Sequence, residues 1–131
     1  MTTKLTFKYT IIFLLLGFIL VPKATMADGN ELLKQCIAGL KVLNNVKNLS
    51  KIEYMDAAFC AGLVQGITDS YRIYRLSKTI PSSCLPGKVI NKSQATRIVV
   101  KYLREHPERL HLHESNLVID ALSEAFPCPG K

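Results

Sequence analysis

The chain has 131 residues, 48% hydrophobic and 21% charged, with a formal net charge of +7. That length holds one domain rather than two, and the apolar share excludes a disordered chain. Four cysteines, no tryptophan and few charged residues do not suggest a histone-like or arginine-rich nucleic-acid binder.

Residues 1–27 read as a secretory signal peptide. Lys4 and Lys8 form a basic start, and Tyr9 to Val21 is a run of 13 residues without a charge. Thr25-Met26-Ala27 then places small residues at the −3 and −1 positions for cleavage before Asp28. A membrane-spanning helix needs about 20 apolar residues, so an uncleaved anchor is the weaker alternative. Lipoprotein processing needs a cysteine directly after the apolar core, and Cys36 is too far beyond Val21 to serve. Cleavage removes Lys4, Lys8 and Lys23 and no acid, so residues 28–131 carry 14 basic and 10 acidic side chains, a charge of +4. No second long apolar run follows, so the processed chain is expected to carry no membrane segment.

The first helix is expected over residues 30–43, with Asp28 and Glu31 as a capping pair. Leu32, Leu33, Cys36, Ile37, Leu40 and Leu43 recur at three- and four-residue steps and form its apolar face. Asn44-Asn45 can turn left-handed and end it. Ser50-Lys51-Ile52-Glu53 fits a capping box for a long second helix reaching residue 76. Met55, Phe59, Gly62, Leu63, Gly66, Ile67, Ser70 and Tyr74 share one side, which is expected to face inward. Gly62 and Gly66, each costing about 1 kcal/mol of helix propensity, are expected to admit another helix at close range.

Residues 77–92 are rich in breakers (Pro81, Pro86, Gly87), and a loop of this length is often functional. The third helix starts at Asn91 or Ser93 and stops before Pro107, which disfavours helix at His106. Its buried stripe is Ala95, Ile98, Val99, Tyr102 and Leu103, with Arg97, Lys101, Arg104 and Glu105 on the wet side. A polar link follows over residues 106–113. The last helix covers residues 114–126, with Leu117, Val118, Ala121, Leu122, Ala125 and Phe126 inward. The fold class is therefore all-α, a small bundle of about four helices.

An even set of cysteines in an exported chain of this size reads as two disulfides. A zinc site is disfavoured because no two cysteines fall within a C-x₂₋₄-C spacing. Spacing alone allows three connectivities. The helix order favours Cys36–Cys60, at similar depth in an antiparallel hairpin, and Cys84–Cys128, at adjoining ends of a second one.

Catalytic motifs are missing: no G-x-S-x-G, H-E-x-x-H or G-x-x-x-x-G-K-[ST] occurs. Carboxylates are scattered; Asp56 and Asp69 take surface positions by default, and phasing turns Asp120 outward. His106, His111 and His113 lie close in sequence, and His111-x-His113 could place two imidazoles on a metal. Polar loop histidines are the simpler reading, so no metal and no cofactor is expected. The basic side chains Arg72, Arg75, Lys78, Lys88, Lys92, Arg97, Lys101 and Arg104 favour helix C-termini or make a positive surface suited to an acidic partner. Nucleic acid is not an expected partner.

Four fragments carry a family resemblance. They are Phe59-Cys60-Ala61-Gly62-Leu63-Val64-Gln65-Gly66-Ile67 on the long helix and Cys84-Leu85-Pro86 before a helix bearing Gln94. The others are Tyr102-Leu103-Arg104-Glu105-His106-Pro107-Glu108-Arg109-Leu110-His111 and Ala121-Leu122-Ser123-Glu124-Ala125-Phe126-Pro127-Cys128. In order and spacing, the chain from Leu32 to Cys128 resembles the immunity proteins for type VI secretion amidase effectors, the Tai or Rap immunity family. One departure is Ser83, where members often carry an aromatic residue before the third cysteine. The resemblance implies a periplasmic, helical, disulfide-bonded and often homodimeric protein that occludes the cleft of a peptidoglycan amidase and is not itself an enzyme. The segment around Leu85, Pro86, Gly87 and Lys88 and the link residues His106, Glu108, Arg109 and His111 are the candidate partner contacts. The edge of the second helix near Tyr71 and Tyr74 is the candidate self-association surface. A helical accessory or chaperone-like protein without a toxin partner is the alternative function, and a small metalloenzyme using the histidine link is a third.

Overall fold

The computed structural model describes residues 28–76 and 90–128. They form four helices, α1 (Gly29–Leu43), α2 (Lys51–Leu76), α3 (Lys92–Glu105) and α4 (Glu114–Ala125), with a short 3-10 turn at Pro107–Arg109. Among the described residues there is no strand, only an isolated backbone bridge between Asp28 and His113. The chain is thus the expected all-α bundle. No helix among these residues is long and apolar enough to cross a membrane. The expected signal peptide, Cys84 and the candidate contacts Leu85, Pro86, Gly87 and Lys88 lie outside the described residues.

The first two helices are delimited by their own sequence. The Asp28 carboxylate accepts from the amides of Asn30 (3.0 Å) and Glu31 (3.1 Å), satisfying two of the donors a helix start leaves open. At the far end Asn45 sits at φ 56. Its N–H donates to the Val42 carbonyl and that of Val46 to the Lys41 carbonyl, both at 3.0 Å. This bond pair is the Schellman cap, and asparagine tolerates its left-handed residue better than most. The capping box follows as expected. The Glu53 amide donates to Ser50 Oγ at 3.2 Å, and the Glu53 carboxylate accepts from the Ser50 amide at 2.9 Å.

The largest helix contact is between α1 and α2, followed by α1 against α3 and α3 against α4. Leu32, Cys36, Cys60, Val64, Val99, Leu103, Leu117 and Leu122 are at most 1% exposed and form the centre of the core. Cys36 and Cys60 are bonded to each other, Cα to Cα 5.1 Å, as the hairpin argument required. Cys128 is also disulfide-bonded.

Five expectations are corrected. The α2 side carrying Met55, Phe59, Gly62 and Gly66 faces outward, with Met55 60% and Phe59 63% exposed. Among the described residues, a Cβ added at Gly62 or Gly66 would meet nothing within 4 Å, so none of the other three helices approaches there. The buried side is instead Ala57, Cys60, Val64 and Tyr71. Cys60 ties that side to α1 through its bond to Cys36. Tyr71, 7% exposed, belongs to the core rather than to a self-association edge. Asp56 is also buried, and its carboxylate lies 3.5 Å from Lys34 Nζ on α1. Ala125, expected inward, is exposed.

Candidate functional site

The link between α3 and α4 folds into a braced corner. Pro107 lacks an amide hydrogen and starts the 3-10 turn, while His106 leaves helical geometry at φ −123, ψ 59. Tyr102, 3% exposed on the last turn of α3, is the hub. The His106 ring stacks on it at 4.2 Å between centroids, and the Arg109 guanidinium lies 5.8 Å from its ring centre. Arg109 donates to the Tyr102 hydroxyl and, at 2.6 Å, to the Asp120 carboxylate on α4. Burial pushes the Tyr102 phenol above its ordinary range, so it stays protonated.

The corner is also held from the other end of the chain. The Gly29 amide donates to the Leu110 carbonyl at 2.8 Å, and the Asn30 side chain reaches the same oxygen at 3.5 Å. A Cβ at Gly29 would lie 2.8 Å from Leu110 Cα and 2.5 Å from Leu117 Cδ1. Only glycine allows α1 to start this close to the corner. His113 bridges Asp28 and caps α4, accepting from the Ser115 amide at 3.3 Å.

The candidate contact residues therefore separate. Arg109 is committed to Tyr102 and Asp120, and half-buried His106 to Tyr102, whose carbonyl lies 3.0 Å from His106 Nδ1. Glu108 and His111 are exposed on the outside of the turn, with His111 Nδ1 3.0 Å from the Glu108 carbonyl. Asp120, expected to point outward, is half-buried against Arg109. Gly29 and Asp120 were invisible as site residues because their partners are distant in sequence. Among the described residues no group of three or more His, Cys, Asp and Glu side chains could hold a metal ion.

A cationic strip runs along α3 toward the corner. Arg97, Lys101 and Arg104 are exposed on α3 and border a shallow groove of about 340 Å³ floored by Leu40 and Val100. Arg97 donates to Asn44 at 2.9 Å, and Lys101 lies 3.9 Å from Glu105. A corner braced by distant contacts with an exposed acid and imidazole, beside a positive strip, is suited to recognising another protein.

Comparison with known families is consistent with this. Residues 28–128 match the family model of the Rap1a immunity proteins, and the chain belongs to that family. No curated protein and no solved structure matches it. Membership points to an immunity protein, a non-enzymatic inhibitor acting on a protein partner.

Proposed function

We propose that the chain is exported to the periplasm and there neutralises a type VI secretion effector, a peptidoglycan amidase, by occluding its active-site cleft. The family match carries this reading. It begins at Asp28, the residue that the expected signal cleavage would leave as the N-terminus. Disulfides at Cys36–Cys60 and Cys128 suit an oxidising compartment.

Occlusion needs a preformed projection rather than chemistry. Glu108 and His111 stand on a corner ordered before binding, so little conformational entropy is lost when they engage. The strip Arg97, Lys101 and Arg104 runs along α3 from the α1–α2 turn toward the corner and steers an acidic partner to this face of the bundle. The segment Leu85, Pro86, Gly87 and Lys88 is proposed as a second insert.

The test is whether a neighbouring gene encodes a candidate amidase and whether residues 28–131 inhibit it in a peptidoglycan hydrolysis assay. Hydrolysis should stop near equimolar inhibitor, with one tightly retained partner. Full activity in excess inhibitor, with no cell-wall hydrolase retained, would end the immunity reading. Weak binding to many unfolded chains would support the chaperone-like alternative.

A further inference from the structure

The groove between α1 and α3 carries cations that the bundle leaves unanswered. Leu40 of α1 and Val100 of α3 form its apolar floor, and Arg97, Lys101, Arg104 and Glu105 form its rim. Arg104 has no hydrogen bond or ion pair among the described residues. Lys101 lies 3.9 Å from Glu105, a long contact between exposed side chains. Arg97 donates to the Asn44 side chain at 2.9 Å, which leaves most of its five donors free. Asn44 is the C-cap residue of α1, so a neighbouring helix aims this guanidinium. Attraction to the helix C-terminus accounts for Arg104 in the last turn of α3, but not for Arg97 about two turns further back.

We propose that this groove binds a short acidic peptide with a free amino end. Small-ligand sites are concave, largely apolar and furnished with a few charged groups, at about 300–1,000 Å³. This groove holds about 340 Å³. At about 1.5 Å per residue along the α3 axis, Arg97 stands about 6 Å from Lys101 and about 12 Å from Glu105. An extended peptide advances about 3.3 Å per residue, so three or four residues fill that length. Its alternate side chains share one face, about 7 Å apart. Two carboxylates so placed reach Arg97 together with Lys101 or Arg104, and each arginine can take a carboxylate through two parallel hydrogen bonds. An intervening small apolar residue packs on Leu40 and Val100. Glu105, the one acid on the rim, suits the peptide's ammonium and repels a plain polyanion.

A groove this short supplies only a part of the about 800 Å² per partner that a stable protein interface buries, which favours a peptide over a folded protein. The source of the peptide rests on the periplasmic reading above: the stem peptides of peptidoglycan are short and carry several free carboxylates. Binding them holds the chain on the polymer that the amidase attacks.

Residues 28–131, with disulfides intact and no amidase present, should bind a soluble peptidoglycan stem tripeptide. The readout is amide shifts at residues 97–105 in an NMR titration, with an affinity that falls as salt rises. Converting the peptide's carboxylates to amides should abolish the shifts. Arg97→Gln/Arg104→Gln should bind at least about tenfold more weakly at an unchanged melting temperature. Lys101→Gln should weaken binding by a smaller factor. Missing shifts at residues 97–105, equal binding of the amidated peptide or undiminished binding by Arg97→Gln/Arg104→Gln would each overturn the proposal. Loss of amidase inhibition by that double variant with peptide binding intact would give the strip to the effector instead, and equally overturn it. Because the titration contains no amidase, its failure leaves the immunity reading standing, and failed inhibition leaves the peptide site standing.

Discussion

The two helix corners solve one problem by different means. Between α1 and α2, the bonds that close the turn lie within the hairpin, and Arg97 of α3 adds one from afar to Asn44. Asn45 closes the Schellman cap, Ser50 and Glu53 form the capping box, and Lys41 meets Glu53 at 2.8 Å across twelve residues. Between α3 and α4, Arg109 ties Tyr102 to Asp120 across the turn, and the far end of the chain adds a second hold, from Gly29 to Leu110. A corner built from capping signals forms as soon as its helices do. A corner held by the opposite end of the chain forms only when the whole bundle closes, and it is then rigid enough to present side chains to a partner.

The largest expected effect tests the staple behind the local corner. Cys36 and Cys60 close a loop with a sequence separation of 24. A Cys36→Ala/Cys60→Ala double variant is expected to lose about 3–4 kcal/mol of unfolding free energy by the chain-entropy model, read from the denaturant midpoint. A loss under about 1 kcal/mol would mean that the α1–α2 hairpin needs no staple.

Gly29→Ala probes the long-range corner. The added methyl must displace the Leu110 backbone, so a loss of about 1–3 kcal/mol is expected, with faster amide exchange at Gly29 and Leu112. Unchanged exchange would show that α1 does not brace the corner.

A smaller effect is expected at the ion pair. Its partners are 37% and 35% exposed, so solvent screening limits it. A double-mutant cycle of Arg109→Gln with Asp120→Asn should give a coupling near 1 kcal/mol. Zero coupling would leave the Tyr102 contacts as the brace.

The least costly change is titration of the local corner. Glu53 is held down to about 2 from 4.5, chiefly by the Lys41 hydrogen bond and then by the Ser50 amide. Its folded value lies below its unfolded one, so its contribution is complete above pH 4.5 and disappears as pH falls toward 2. Melting curves should show the unmodified chain losing its advantage over Glu53→Gln within that window.

Legibility in the sequence follows the same division. Caps, the breaker Pro107 and most of the α3 and α4 stripes, Ala125 apart, were readable because each depends on neighbours within a few residues. The Cys36–Cys60 pairing was readable because a hairpin fixes relative depth. The rotation of α2 was not, because it carries two apolar stripes and both satisfy helical periodicity. In the structure Cys60, bonded to Cys36, and Val64 go inside and Phe59 stays out, although the readable Cys36–Cys60 pairing already pointed that way. At the candidate site, the position of the link and the exposure of Glu108 and His111 could be anticipated. The commitment of Arg109 to Tyr102 and Asp120, and the need for glycine at residue 29, depend on contacts that no local pattern encodes.

The central claim is that the long-range corner binds the effector while the local corner serves only the fold. Titration calorimetry of a Glu108→Ala/His111→Ala variant against the cognate amidase, beside Ser50→Ala, tests it directly. The account predicts at least about tenfold weaker binding for the corner variant, roughly 1.4 kcal/mol, at unchanged melting temperature. Ser50→Ala should lose about 1 kcal/mol of stability and keep its affinity. Undiminished affinity in the corner variant would contradict the claim.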